Sequence, residues 1–289
     1  VLKYDPMCIS VIIPTLNACD CIGQLLSMIQ KQDVRASEVI IIDSSSEDKT
    51  VDIAKEFDAR TIVIPRHAFN HGRTRNLAAK EARGDILVFM TQDALPVDDT
   101  LLRTLTAPLQ KPDIAATFGR QIPRAGASPL EIFARRFNYP DKGAVKGLDD
   151  VRKYGIKTFF LSNVCSAFKR EAFLKAGMFP EDVNANEDML ITARLLMSGY
   201  RVVYVPEAKV IHSHSLSLPG QFRRYFYIGS SLKKNRWIRE YAQPESEGLK
   251  LVLQQVKFVV NRHEYRWIPY IFIESVTKYL GYRIGLFAG

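Results

Sequence analysis

The sequence predicts an α/β fold in which a mostly parallel central sheet is flanked by helices and followed by a C-terminal helical extension. Three observations lead there. Short, nearly unbroken apolar runs recur through the first hundred residues and end in Pro, Asp or Thr. Between them lie stretches with helical spacing and one charged face. After residue 214 the strand signal ends, and basic, aromatic, helix-forming segments take over. Strand–helix alternation at this spacing is the pattern of βαβ units, whose parallel strands are buried on both faces and so read as continuous apolar runs.

In chain order, CISVIIP (8–14) is the first buried strand, ended by Pro14, and 22–31 reads as a helix. EVIIID (38–43) is the second strand. SSEDKTVDIAKEF then begins a helix, with Ser45 or Ser46 as N-cap and acids in its first turn. RTIVI (60–64) is a third strand, GRTRNLAAKEAR (72–83) a helix, DILVFMT (85–91) a fourth strand, and 98–109 a helix. From 119 to 160 the pattern weakens to one helix near 128–138, within what reads as a loop able to close over substrate. SNVCSAFKREAFLKAG (162–177) is a strand followed by a helix, and NEDMLITARLLMSG (186–199) is an amphipathic helix stopped by Gly199. RVVYVP and AKVIH are two short strands. Residues 217–241, 247–262 and 268–286 are helical. The boundary falls near 215, giving a catalytic region (1–215) and a helical region (216–289).

Bulk properties narrow the function classes. A formal net charge of +9 over 289 residues favours anionic partners, without choosing among nucleic acid, phosphorylated small molecules and lipid. Cys8, Cys19, Cys21 and Cys165 form no CxxC pair, which fits a reducing compartment, with Cys8 and Cys165 as core thiols. VLKYDPMCIS lacks a basic stretch followed by an apolar one and does not read as a secretion signal. No run is long and apolar enough for a membrane span. Neither GxGxxG nor GxxxxGK[ST] occurs, which excludes the dinucleotide fingerprint and the P-loop.

Five features can carry chemistry. Pro14-Thr15 ends a strand, where backbone groups and a hydroxyl can meet a ligand; alone it reads as a buried strand with a proline turn. Asp43 stands at the carboxyl end of the second strand, the edge where open α/β sheets bind ligands; alone it reads as a turn residue. His71, Arg73, Arg75 and Asn76 cluster at a helix start, where dipole and guanidinium suit phosphate, although a solvated basic helix start looks the same. Asp93, in TQDALP, follows an apolar strand and is a hard oxygen donor of the kind Mg²⁺ and Mn²⁺ take, or else a helix cap. Glu187 and Asp188 open a helix, as first-turn acids commonly do, while His212 and His214 fall on one side of a strand end and can complete a metal site.

Together, in this order, these features resemble family 2 glycosyltransferases of the GT-A (Rossmann-like) fold. The resemblance spans about residues 8 to 214. It rests on SVIIPTLN, EVIIIDSSSEDKT, HGRTRNLAAKEARGDILVFMTQDA, AFKREAFLKAGMFPED and NEDMLITARLLMSGYRVVYVPEAKVIH. FNHGRTRN and TQDALP look most like bacterial rhamnosyltransferases that use dTDP-L-rhamnose. The resemblance implies that Asp43 and the Pro14-Thr15 tip contact the nucleotide, that Arg75 and Asn76 line its pocket, and that the metal-binding DxD element maps to Thr91-Gln92-Asp93. Thr91 departs from that pattern, so Asp93 is its one carboxylate, with diphosphate and His212 or His214 completing the shell of a Mn²⁺ or Mg²⁺ ion. The ED element maps to Glu187-Asp188. Asp188 is then the general base, and Glu187 the fallback base or an acceptor contact.

The activity so implied is inverting transfer of a sugar, L-rhamnose from dTDP-L-rhamnose, to a glycan or polyprenyl-diphosphate-linked acceptor in bacterial cell-surface polysaccharide synthesis. A UDP-hexose or UDP-N-acetylhexosamine donor is the runner-up. A basic nucleic-acid-binding protein and an inactive scaffold are the readings from other classes; no RNP-type aromatic pattern or helix-turn-helix supports nucleic acid as a partner. FRRYFYIGSSLKKNRWIREY and YIFIESVTKYLGYRIGLF favour an anionic lipid interface and a peripheral place at the cytoplasmic face of the membrane. The alternative is packing on the catalytic region or on a second copy in a homo-oligomer.

Overall fold

The structure, a computed structural model, describes residues 7–213, 216–241 and 245–288. Nine strands of one sheet occur among them: β1 (Ile9–Thr15), β2 (Glu38–Asp43), β3 (Arg60–Val63), β4 (Ile86–Met90), β5 (Leu95–Pro96), β6 (Ile114–Ile122), β7 (Ala144–Lys146), β8 (Cys165–Lys169) and β9 (Arg201–Ile211). The helices are α1 (Ile22–Gln30), α2 (Thr50–Glu56), α3 (His71–Glu81), α4 (Leu101–Thr106), α5 (Pro129–Asn138), α6 (Val151–Tyr154), α7 (Arg170–Lys175), α8 (Glu187–Met197), α9 (Leu218–Lys234), α10 (Trp237–Tyr241), α11 (Glu245–Asn261) and α12 (Ile268–Ala288).

The strands run in the order β3-β2-β1-β4-β8-β6-β9-β5, with β7 added on β9. The first four are parallel, as the alternation predicts, and Thr15 lies in register with Asp43. Side chains alternate between two cores. Ile12, Ile40, Ile42, Leu87 and Phe89 enter one; Val11, Ile13, Ile41, Val88 and Met90 enter the other. Burial on both faces is why these strands read as unbroken apolar runs.

The far half of the sheet is mixed. β8 is antiparallel to both β4 and β6, and β5 and β7 are antiparallel to β9. Four sequence expectations change in the structure. The weak stretch after 119 contains the end of β6, which sequence reading missed because Ala, Thr, Gly, Arg and Gln interrupt its apolar signal. The two short strands after 200 are one strand, β9. Its register against β6 jumps between Gly119–Val205 and Arg120–Lys209, and the irregularity absorbs Pro206. Gly119 permits the close approach there, since a Cβ on it would lie 2.5 Å from the Ala208 carbonyl oxygen. The second helix begins at Thr50, not after Ser45 or Ser46; those serines bond instead to the Ile64 carbonyl and to Asp43. Cys165 is buried as expected, but Cys8 is exposed.

α5 and α9–α12 pack together beside the sheet. α9 and α12 touch backbone to backbone through Gly229, Gly281 and Gly285; a Cβ on Gly285 would sit 2.0 Å from the Phe226 carbonyl oxygen. Gly285→Val therefore forces the helices apart. A loss of about 1–3 kcal/mol is expected, read as a lower melting temperature in thermal unfolding; an unchanged transition would refute the close contact. No helix among the described residues is long and apolar enough to cross a membrane.

Candidate active site

The parallel strands β1, β2 and β4 deliver their carboxyl ends to one edge. There Thr15 Oγ1 donates to Asp43 Oδ1 at 2.8 Å. Asp43 also accepts from the Ser46 hydroxyl at 2.6 Å and the Ser46 backbone N–H at 2.7 Å. Its side chain is fully buried, so the strand end, the hydroxyl and the turn hold the carboxylate in one orientation. Ser45 takes a left-handed φ of 57° to make that turn. The Ser44 hydroxyl beside it is buried without a hydrogen-bond partner among the described residues, a polar atom awaiting one.

Gln92 ties this edge to the next strand. Its Oε1 accepts from the Leu16 N–H at 2.8 Å, and its Nε2 donates to the Leu16 carbonyl at 3.2 Å. Asp93 follows, 3.5 Å from His212 Nε2 and 3.3 Å from the Arg124 guanidinium. His212 is 5% exposed, and its Nδ1 lies 3.1 Å from Gln121 Oε1. The Gln121 amide nitrogen donates to Tyr139 and Ser162, so its oxygen is an acceptor and His212 Nδ1 carries the proton. Nε2 then faces the Asp93 carboxylate, as a protonated donor to it or as a lone pair with a metal ion between the two.

The third part is the start of α8. Asn186, with a left-handed φ of 67°, precedes Glu187 and Asp188. Glu187 is buried, accepts from Asn163 Nδ2 at 3.3 Å and lies 3.7 Å from Arg75. Asp188 Oδ1 accepts from the Met189 N–H at 2.8 Å. Burial, reinforced by the neighbouring Glu187 charge, raises the Asp188 pKa to about 7. The Met189 N–H, Arg75 and Arg224 pull the other way.

Arg75 is buried on α3, donates to the His71 carbonyl at 2.9 Å, and leaves its Nε without a partner among the described residues. Asn76 is committed elsewhere. Its amide donates to the Phe179 carbonyl and Glu181 and accepts from the Phe179 N–H. It thus holds the loop before α8 rather than presenting a free amide. Arg73 pairs with Glu181 at 3.3 Å on the surface. Pro14 is half-buried beside Thr15. His214 lies outside the described residues.

These pieces form two groups: Asp43 through Thr15, Leu16 and Gln92 to Asp93 and on to His212, and Arg75 with Glu187 and its neighbour Asp188. Across the gap, Asp93 acts electrostatically on Arg135, and Arg224 acts on both Arg135 and Asp188. Arg124, Arg135, Gln121, Tyr139 and Arg224 were missed by sequence reading. They sit on the mixed half of the sheet, on α5 and on α9, where no strand-end pattern marks them.

The residues present fit a cation only in part. Among the described residues no three His, Cys, Asp or Glu side chains converge as a metal cluster. Asp93 and His212 converge as two donors, and Thr91, where a second carboxylate would stand, has a buried hydroxyl without a hydrogen-bond partner among the described residues. That set suits an ion whose remaining ligands come from a phosphate-bearing substrate.

Comparison with known proteins places the family and the fold. Residues 10–177 match the family model described as Glycosyl transferase family 2. The O-antigen chain rhamnosyltransferase RfbN of Salmonella typhimurium is 39% identical, over 96% of this chain and 90% of the relative. The O-antigen chain rhamnosyltransferase WbaN of Salmonella anatum is 38% identical, over 96% and 88%. Among solved structures, the mannosyltransferase PcManGT from Pyrobaculum calidifontis, in complex with GDP-Man and Mn²⁺, superposes with a TM-score of 0.63 at 19% identity, covering 96% of this chain and 88% of that one. Residues 1–349 of TarS from S. aureus in complex with UDP-GlcNAc superpose with a TM-score of 0.60 at 17% identity, over 98% and 91%. Both share the fold.

Proposed function

The chain belongs to glycosyl transferase family 2 and is a glycosyltransferase of GT-A-like fold, and from that premise we propose that it transfers L-rhamnose from dTDP-L-rhamnose, with inversion, to a glycan acceptor of a bacterial surface polysaccharide. The identity to two O-antigen chain rhamnosyltransferases over nearly the whole chain supports the sugar and the pathway class. The observation that carries the chemistry is Asp188, a carboxylate with its pKa lifted to about 7 by burial at the start of α8.

The nucleotide lies along the carboxyl edge of β1, β2 and β4, against Pro14-Thr15 and the rigidly held Asp43. The diphosphate lies toward Arg75, whose unpartnered Nε can donate to it, and toward Asp93. Asp93 and His212 would hold a Mn²⁺ or Mg²⁺ ion there, with Gln121 fixing the imidazole tautomer. Such an ion, when bound, offsets charge on the departing diphosphate. A UDP-sugar in the same cleft is the runner-up.

The acceptor hydroxyl is a poor nucleophile until its proton is taken. Asp188 accepts that proton as the hydroxyl oxygen bonds to the anomeric carbon and the bond to the diphosphate oxygen breaks on the opposite face. One base and direct displacement suffice, and the β-linked donor becomes an α-L-rhamnoside. Glu187, held by Asn163 and Arg75, is the neighbour that reinforces the raised pKa of Asp188.

A thermal-shift panel tests the donor. With Mn²⁺, dTDP-rhamnose is expected to raise the melting temperature more than UDP-glucose, UDP-galactose or UDP-N-acetylglucosamine. The largest shift with a UDP-sugar would replace rhamnose as the donor.

A further inference from the structure

We propose that two adjoining cavities beside the catalytic cleft form a binding site for an anionic amphiphile, with its hydrocarbon tail between α9, α11 and α12 and its phosphate-bearing head at Arg135 and Arg224. The proposal rests on the glycosyltransferase reading above and deepens it, because it assigns a seat to the carrier of the acceptor.

The first cavity, about 560 Å³, is walled by apolar side chains of those three helices, among them Ile228, Leu232, Val252 and Val276. Val276 is 57% exposed, so the mouth opens on the apolar outer edge of α12. The second cavity, about 310 Å³, is polar and reaches α5. Tyr225, Ile228, Gln255 and Lys278 line both cavities, so the two adjoin.

Three cations line the polar cavity, Arg135, Arg224 and Lys278. Arg135 is partly buried with an Nε that lacks a hydrogen-bond partner among the described residues, and Arg224 repels it. Glu131 also borders the cavity and attracts Arg135. The other acid, Glu274, is taken by Gln221 at 3.0 Å and Lys278 at 3.1 Å. Two guanidinium groups with an unfilled N–H suit a phosphate or diphosphate, which accepts several such bonds at once.

Arg224 also acts on Asp188. A head bound at the arginines therefore changes the charge that the base feels. A second copy of the chain docking its apolar face would explain the first cavity but not the cationic one behind it. An amphiphile explains both.

Calorimetric titration of the full chain tests this with farnesyl diphosphate and inorganic diphosphate. Farnesyl diphosphate is expected to bind at least tenfold more tightly. Val276→Arg, at an exposed position, should bring the two affinities together. Arg135→Gln combined with Arg224→Gln should weaken both at least tenfold. Equal affinities in the parent, or no effect of Val276→Arg, would overturn the proposal. So would adsorption to phosphatidylglycerol vesicles without any titration by farnesyl diphosphate, which would make this face a membrane surface. Donor-nucleotide affinity, measured in parallel, distinguishes failure of the function reading, which moves it, from failure of this one, which does not.

Discussion

Asp188→Asn is expected to lower kcat roughly 10²–10⁴-fold, the span general-base catalysis supplies, while leaving donor binding close to that of the parent. The substitution keeps the side-chain oxygen that accepts from Met189 N–H but removes the group able to take a proton. In the parent, kcat/KM should rise with pH through about 7 and then level off, because the carboxylate form appears only as pH passes its raised pKa. The sign for stability is opposite. The folded chain holds this proton more tightly than the unfolded chain, whose carboxyl has the ordinary value of 3.8. Stability is thus lost as pH climbs between the two values. Asn removes that penalty, so the variant should melt higher than the parent at pH 8 and gain little at pH 4. A variant with parental turnover would reassign the base, with Glu187 next in line.

Asp93→Asn is expected to reduce kcat/KM on the order of 100-fold or more and to abolish its stimulation by Mn²⁺. Among the described residues Asp93 is the one carboxylate paired with His212 at this strand end, since Thr91 cannot ligate as an anion. Removing divalent ions with EDTA should bring the parent down toward the variant and leave the variant unchanged. If Mn²⁺ stimulates parent and variant equally, Asp93 has no part in holding the ion.

The parallel half of the fold was legible because its strands are buried on both faces and its loops carry the chemistry. Asp43 and Asp93 could be placed at one edge from the apolar runs before them, and the structure puts Thr15 in register with Asp43. The mixed half was not legible. β6 hides behind polar and small residues, and β9 looks broken because its irregular pairing with β6 tolerates Pro206. Residues that depend on that half, such as Gln121 behind His212 and Arg124 against Asp93, had no local signal. Asn76 shows the converse: a suggestive polar residue at a helix start whose amide serves the neighbouring loop. Arg224 bears electrostatically on Asp188 from a helix far along the chain, which only tertiary packing reveals.

The Arg124 guanidinium at 3.3 Å from Asp93 carries a consequence for the order of binding affinities. Its backbone N–H is anchored to Ser213, and its guanidinium lies against Asp93 Oδ2 while His212 faces Oδ1, so it stands as a built-in counter-ion whose charge opposes a divalent ion entering at Asp93. The ion alone meets that repulsion unaided, whereas an arriving diphosphate offsets both positive charges. Donor and ion should therefore load cooperatively, each tightening the other by the same factor, and Mn²⁺ affinity should be higher with dTDP present than without.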